Sequence, residues 1–159
     1  MERLPKKSFP GSETVSVISA AGRVTAAPVY ARLSSPSFHV AAMDGFAVRA
    51  EDTFGAGPDR PRNLTVGENA QPINTGQPLP TDTNAVIMIE NAMFLDDSRF
   101  EVEQAVVPWQ HVRRVGDDFV ASEMILPGCH VVTPYEVGAL LAAGVTTIEV
   151  CRKPHVLII

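Results

Sequence analysis

Residues 42–49 read Ala-Met-Asp-Gly-Phe-Ala-Val-Arg, and this short stretch decides how the rest of the chain is interpreted. Asp44 stands directly before Gly45, a pair that favours turns, and the spacing of Phe46 and Val48 predicts a strand after it. Glycine also lets a ligand or another backbone come close. Two interpretations stay open: Asp44 stabilises a hairpin turn through its own backbone, or it presents its carboxylate to a ligand.

The composition is that of a folded protein whose charge is unevenly distributed. Hydrophobic residues make up 45% of the chain and charged residues 19%, which is enough apolar material for a core. The net charge of -5 argues against nucleic acid or an anionic membrane as the main partner. Residues 1–43 carry a net charge of +3, residues 44–103 carry -7, and residues 104–159 carry -1. The carboxylates of residues 44–103 lack the spacing of a calcium-binding loop, so this acidic region is predicted to be a solvated surface.

Cysteine and histidine give no sign of a disulfide framework or a zinc site. Cys129 and Cys151 are the only cysteines and form no CxxC motif, which favours a reducing, cytoplasmic location. The histidines are dispersed without zinc-ligand spacing. No apolar run is long enough to span a membrane, and the N-terminus lacks the apolar core of a signal peptide.

From Phe46 to Glu103 the pattern is that of strands and tight turns. Residues 85–89 form a continuous apolar run that predicts a strand buried on both faces. Residues 74–76, Asn-Thr-Gly, predict a tight turn, and residues 96–98 predict a hairpin turn. Before this region, residues 20–27 favour a helical turn that Gly22 ends or interrupts. Arg23 is either an exposed charge or an anion contact.

One helix is well specified near the C-terminal end. Thr133 is a candidate N-cap, Pro134 suits the first helical position, and Glu136 completes a capping box with Thr133. Gly144 is placed to end the helix. Three apolar residues share one face by their spacing: Val137, Leu140 and Leu141. Residues 155–159 then begin an apolar strand, from which we expect the chain to be part of something longer.

Four motifs together resemble the MoeA/gephyrin family of molybdopterin molybdotransferases. Residues 43–53, MDGFAVRAEDT, resemble the first signature of that family. Residues 73–80 (INTGQPLP), which run into 84–90 (NAVIMIE), are similar to the second, and residues 112–119 (VRRVGDDF) to the third. The stretch GALLAAG at 138–144 matches a fourth. The motifs keep the order of the family and cover residues 14–159, which is far more specific than any one of them.

The resemblance implies an α+β fold, mainly β, in which an elongated helix/sheet domain carries an inserted β-rich domain. Residues 1–44 plus 121–153 are expected to form the discontinuous domain and residues 45–120 the insert. Residues 154–159 are then the start of a truncated molybdopterin-binding α/β domain. These boundaries follow from the resemblance and not from the composition.

The resemblance also implies an activity: insertion of molybdate into adenylated molybdopterin by a homodimer, with a divalent cation such as Mg²⁺. We expect this fragment alone to be inactive and to bind none of these groups tightly. An alternative is a non-catalytic module on the same fold that binds or senses molybdopterin, or acts as a scaffold.

By motif, the resemblance makes Asp44 and Thr75 catalytic, and Gly45, Gly76 and Asp118 substrate-binding. A carboxylate such as Asp44 can hold Mg²⁺ or take a proton. The hydroxyl of Thr75 and the backbone N–H groups of its turn can donate to an oxyanion. Each residue also has a purely structural interpretation, as a turn former for Asp44 and Thr75 and as a surface charge for Asp118.

Two departures from the family pattern remove charge. Pro72 stands where the family usually has Arg, which loses a fixed cation. Asn84 stands where an acid is usual. These departures are what the non-catalytic alternative depends on.

Overall fold

The computed structural model describes residues 11–154, and in that range the protein is mostly β with one α-helix. This confirms the mainly β class, while the strand predicted at residues 155–159 lies outside the described residues. The strands, in chain order, are β1 (Ser12–Ser16), β2 (Val29–Tyr30), β3 (Val40–Ala41), β4 (Gly45–Val48), β5 (Arg62–Thr65), β6 (Ala70–Ile73), β7 (Ala85–Met88), β8 (Met93–Phe94), β9 (Arg99–Val102), β10 (Val112–Arg113), β11 (Met124–Leu126) and β12 (Thr147–Cys151). The helix α1 spans Pro134–Ala142, and single 3-10 turns lie at Val17–Ser19, Ala50–Thr53 and Ile89–Asn91.

The chain divides into two compact units, each with its own core. The split unit contains the described residues up to Ser35 and those from Phe119 onward, and the continuous unit is Pro36–Asp118. The sequence predicts the borders of a β-rich insert at residues 45 and 120. Which domains of a longer protein the two units represent stays a prediction.

In the split unit, two antiparallel strand pairs and α1 enclose one core. β1 pairs with β12 and β2 pairs with β11. The fully buried side chain of α1 is Leu140, whereas Leu141, which the spacing places on the same face, is 42% exposed. The helix has nine residues and the core covers only one side of it, so only a narrow stripe of its side chains is buried. The buried members of this core are Val17, Ala20, Ala31, Leu126, Val132, Leu140, Ala143, Val145, Ile148 and Val150.

The capping signals of α1 are confirmed at both ends. The Thr133 hydroxyl accepts a hydrogen bond from the Glu136 N–H at 3.4 Å, and the Glu136 carboxylate accepts one from the Thr133 N–H at 2.7 Å. Gly144 follows the helix with φ +73°. Its N–H donates to Leu141, and the N–H of Val145 donates to Leu140, which is a Schellman motif.

The helical turn predicted for residues 20–27 is wrong. Val24 and Thr25 instead form bridges with Val131 and Val150, so tertiary pairing uses their backbone groups in place of helical hydrogen bonds. Arg23 is not an exposed charge either. Its side chain is 14% exposed, pairs with Glu13 and donates to the Cys151 carbonyl at 2.9 Å.

The continuous unit is built around β4. This strand is the centre of an antiparallel sheet with the order β6-β4-β7. A second sheet has the order β5-β9-β8, and β3 pairs with β10. The β8–β9 connection confirms the hairpin turn predicted at residues 96–98, because the Leu95 N–H donates to the Arg99 carbonyl at 2.9 Å.

All four residues of β4 are buried, because a core lies on each side of it. Phe46 and Val48 enter one cluster, together with Leu64 and Phe100 of the second sheet. Ala47 enters the other. The apolar run at residues 85–89 gives β7, whose Ala85, Val86 and Ile87 are also divided between the two clusters. The prediction of a strand with both faces buried is confirmed for residues 85–87, whereas Ile89 is 42% exposed and begins a 3-10 turn.

Gly45 is required by a close approach of two backbones. It pairs with Ile73 on one side and Met88 on the other. A Cβ atom at this position would lie 1.9 Å from the carbonyl oxygen of Ile87, a distance that no side chain tolerates. The hairpin interpretation of Asp44–Gly45 is therefore wrong, because Gly45 is already a paired strand residue and β3 pairs with β10 and not with β4.

Among the described residues, no helix has the length and apolar character needed to cross a bilayer.

We predict that Gly45→Ala destabilises the continuous unit by about 3 kcal/mol or more, because the added methyl group meets backbone that cannot move aside. Denaturant unfolding followed by fluorescence of Trp109, the only tryptophan, reports on this unit. Gly57→Ala is the matched control, since no atom lies within 4 Å of its added methyl group. A Gly45→Ala protein as stable as the control would contradict the packing argument.

Candidate active site

Asp44 and Thr75 meet at one edge of the β6-β4-β7 sheet. The Asp44 Oδ1 atom accepts hydrogen bonds from the Thr75 N–H at 2.7 Å and from the Thr75 hydroxyl at 2.8 Å. The antiparallel register of β4 and β6 places Gly45 opposite Ile73. The residue before β4 therefore lies beside the loop after β6, although the two are 31 positions apart in the sequence.

The turn that carries Thr75 is held firmly by its own bonds. The Gln77 N–H donates to the Asn74 carbonyl at 3.0 Å, and the Gln77 side-chain oxygen accepts from the Asn74 N–H at 2.9 Å. Gly76 has φ +83°, an angle that favours glycine. The tight turn predicted at residues 74–76 is confirmed.

The backbone donors of this turn are already in use. The Thr75 N–H donates to Asp44, and the Gly76 N–H donates to the Ala41 carbonyl at 2.8 Å. The Thr75 hydroxyl also donates to Asp44. In this conformation the Thr75 N–H and hydroxyl orient the Asp44 carboxylate. The oxyanion-donating role that the resemblance implies would need the same donors.

Asp44 is exposed and is held in its charged form. The backbone N–H of Thr75, and next its hydroxyl, lower the pKa of Asp44 below its ordinary value of 3.8, because both donate to the carboxylate. The Oδ1 atom takes both bonds, and within residues 11–154 the Oδ2 atom has no hydrogen-bond partner. The site thus presents one oriented, anionic oxygen to solvent.

Gly45 and Gly76, the predicted substrate-binding glycines, lie in different surroundings. Gly45 is buried in β4 and has the packing role described above. Gly76 is exposed, with open space where a side chain would stand. Direct contact of either glycine with a substrate stays a prediction.

Asp118 lies in a charged turn that begins at the end of β10. Its Oδ1 atom pairs with the Arg113 guanidinium at 2.6 Å, and Arg114 pairs with Asp117 at 3.6 Å. The internal pairing of this turn, expected from the sequence, is confirmed. Arg113 also pairs with Val40 of β3, four residues before Asp44. Asp118 is therefore anchored to the segment that leads into the site, but neither Asp44 nor Thr75 bonds to it.

Asn84, one of the two departures from the family pattern, has a structural function. Its Oδ1 atom accepts a hydrogen bond from the Ala50 N–H at 2.8 Å, at the start of a 3-10 turn. Its Nδ2 atom lies 3.4 Å from the carboxylate of Glu51. An acid at this position would face Glu51 with like charge, so the amide suits this neighbour.

Pro72, the other departure, lies exposed on β6. Because β6 is an edge strand of its sheet, a residue without an N–H is tolerated there.

No sequence pattern singles out a long-range contact of the continuous unit, that between His39 and Trp109. Their rings contact each other with centroids 4.7 Å apart. The His39 Nδ1 atom accepts a hydrogen bond from the Val115 N–H at 3.2 Å. They are 70 positions apart, and no spacing or periodicity in the sequence links them.

The described residues contain no group of three or more His, Cys, Asp or Glu side chains that could hold a metal ion. A cation at Asp44 would therefore have at most two such side chains of the described residues as ligands. Mg²⁺ fits such a site, because it keeps several waters and binds through one or two carboxylates plus substrate oxygens.

This mostly β fold of two units has known relatives. The model of the MoeA N-terminal region (domain I and II) matches residues 2–144. The chain belongs to this family.

Curated relatives and a solved structure agree with the assignment. Molybdopterin molybdenumtransferase 2 of Mycobacterium tuberculosis (strain H37Rv) is 37% identical over 161 aligned residues, which cover 92% of this chain and 40% of the relative. A putative molybdopterin biosynthesis protein of Methanocaldococcus jannaschii is 37% identical over 144 residues, covering 86% and 36%. The crystal structure of a molybdopterin biosynthesis moeA protein from Pyrococcus horikoshii OT3 superposes with a TM-score of 0.84 at 33% identity, covering 91% of this chain and 42% of that one. The chain spans about 40% of the length of the M. tuberculosis relative.

We predict that Asp44→Asn lowers the melting temperature of the continuous unit near neutral pH, and that the difference shrinks as the pH falls below about 3.8. A neutral amide accepts the two Thr75 bonds more weakly than a carboxylate. A group with a depressed pKa stabilises the folded state above its unfolded pKa, and this contribution is lost as the pH falls through the folded pKa.

The measurement is the thermal midpoint of Trp109 fluorescence from pH 7 to pH 2.5. Asp59→Asn is the control, because Asp59 is exposed and has no ion pair or hydrogen bond among the described residues. A difference between Asp44→Asn and the unmodified chain that does not change with pH would show that the charge of Asp44 plays no part.

Proposed function

We propose that this chain supplies the N-terminal part of a molybdopterin molybdotransferase, a protein of molybdenum cofactor biosynthesis that inserts molybdate into adenylated molybdopterin. Membership of the MoeA N-terminal region family and the names of the relatives support this proposal. In it, the continuous unit is the β-rich domain inserted into the helix/sheet domain formed by the split unit. The full-length protein adds an α/β domain that binds molybdopterin.

The observation that carries the proposal is the oriented carboxylate of Asp44. Molybdate and the phosphates of an adenylated substrate are anions, which an unaccompanied carboxylate repels. Asp44 therefore acts either by holding a cation or by accepting a proton. Its open Oδ2 atom is the atom available for either role.

Asp44 is the residue that would hold Mg²⁺, and the ion would supply positive charge where anionic substrates meet. Thr75 fixes the direction of Oδ2, since its two bonds immobilise Oδ1. A carboxylate already held in place loses little conformational freedom when it meets its target. The role of Thr75 in this proposal is to orient Asp44.

In the proposed homodimer, the β-rich domain of one subunit faces the molybdopterin domain of the other, and the reaction takes place in the cytoplasm. Asp118 and Gly76 lie on the part of the continuous unit that contributes to this cleft. The turn that follows β10 carries two ion pairs, Arg113–Asp118 and Arg114–Asp117.

We predict that the purified 159-residue chain does not insert molybdate, whereas a fusion of residues 1–159 to the C-terminal remainder of the M. tuberculosis relative does. In the fusion, Asp44→Asn should lower turnover by about 10²-fold or more, the usual scale for losing an acid–base group. Turnover of adenylated molybdopterin by each purified protein is the measurement. Asp59→Asn is the control and should turn over like the unmodified fusion.

Three outcomes decide between the interpretations. Full activity of the Asp44→Asn fusion would assign Asp44 a purely structural role. A folded fusion that binds molybdopterin without turnover would favour the non-catalytic module. Turnover by the 159-residue chain alone would show that the remainder of the relatives is not needed for the chemistry.

A further inference from the structure

His39 lies where three segments of the continuous unit meet. Its carbonyl accepts a hydrogen bond from the Leu79 N–H at 2.8 Å, in the segment that follows Thr75. The next residue, Val40, pairs with Arg113 of β10. The side chain of His39 reaches both the 109–112 loop and the turn that contains Asp118.

The hydrogen bond of the imidazole fixes its protonation state. The backbone N–H of Val115 can only donate, so the His39 Nδ1 atom that accepts it must carry no proton. The proton of the neutral ring is then on Nε2. Val115 is the middle of the Arg113–Asp118 turn, between its two arginines and its two aspartates, and this bond ties the turn to the strand that leads into Asp44.

The other contact of the ring is to a residue held in a strained conformation. Trp109 has φ +69° and His111 has φ +55°, angles that bulky residues rarely adopt. The N–H of Trp109 donates to the Asn84 carbonyl at 2.6 Å, and the Ala42 N–H donates to the His111 carbonyl at 2.9 Å. The loop thus holds two residues in strained backbone conformations where the indole contacts His39. Such strain is often found at functional sites.

We propose that His39 is a positioning residue: its neutral imidazole clamps the Arg113–Asp118 turn onto the segment that carries Asp44. This inference deepens the proposed function and rests on it for its catalytic consequence. A side chain without an acceptor at this position leaves the Val115 N–H unpaired, and so it opens the clamp.

The charged and titratable groups around the ring come from each neighbouring segment. The turn contributes Arg113, Arg114, Asp117 and Asp118, the loop of Trp109 contributes His111, and Asp82 lines the groove that His39 shares with residues 78–83. The cations and carboxylates of the turn pair with each other, which leaves the Val115 N–H as the direct polar partner of the His39 ring.

The test measures amide hydrogen exchange of Val115 in the 159-residue chain by NMR, corrected for intrinsic exchange. His39→Asn keeps an acceptor at this position, and His39→Phe keeps an aromatic ring without an acceptor. We expect Val115 to be protected in the unmodified chain and in His39→Asn, and less protected in His39→Phe by up to about tenfold, the scale of one hydrogen bond.

The Leu79 amide is the internal control, because it bonds to the backbone of His39 and should stay protected in every variant. Equal protection of Val115 in the unmodified chain and in His39→Phe would overturn the clamp. So would a loss of protection in His39→Asn equal to that in His39→Phe, because the side-chain acceptor would then play no part.

The catalytic consequence is read in the fusion described above. His39→Phe should lower kcat several-fold, and His39→Asn should restore it. Turnover of His39→Phe equal to that of the unmodified fusion would overturn the positioning role even if the Val115 bond behaves as expected. A fusion without turnover in any form would instead count against the proposed function, while the Val115 exchange still decides whether the clamp exists.

Discussion

The continuous unit depends on the close approach of two backbones at Gly45. The Ile87 carbonyl of β7 occupies the space that a side chain at this position would need. Because this contact is possible, β4 pairs on both edges and is covered on both faces. A strand enclosed on four sides is the part of a small domain that is hardest to alter, since every neighbour is packed against it.

The same strand pairing also positions the residues of the candidate site. The antiparallel register that sets Gly45 opposite Ile73 also sets the residue before one strand beside the turn after the other. Asp44 and Thr75 are therefore positioned by the most rigid element of the unit, although both side chains are exposed. Sites built on the ends of strands hold their geometry better than sites within long loops.

The site also shows how a family pattern can vary without loss of the fold. Asn84 replaces a usual acid, and the amide serves two neighbours at once, the Ala50 N–H and the Glu51 carboxylate. Pro72 replaces a usual arginine on an edge strand, where its missing N–H leaves no bond unmade within the sheet. Both changes are accommodated locally, so the charge pattern of the continuous unit differs from that of the family while the backbone is retained.

The sequence by itself determined the elements whose signals are local. The caps of α1, the Asn74–Gly76 turn and the apolar run of β7 depend on residues within a few positions of each other, so they could be predicted. The partner of Asp44 could not be deduced from spacing, because Thr75 reaches it only through the β4–β6 register.

Tertiary structure alone decided the features that join distant segments. It placed Gly45 inside a strand and not in a hairpin, and it paired Arg23 with Glu13. Within residues 20–27, it formed bridges where the sequence predicted a helical turn. It also brought His39 against Trp109. Local propensity is worth a few tenths of a kcal/mol per residue, whereas a buried backbone group left unpaired costs about 1–3 kcal/mol, so long-range pairing prevails wherever the two disagree.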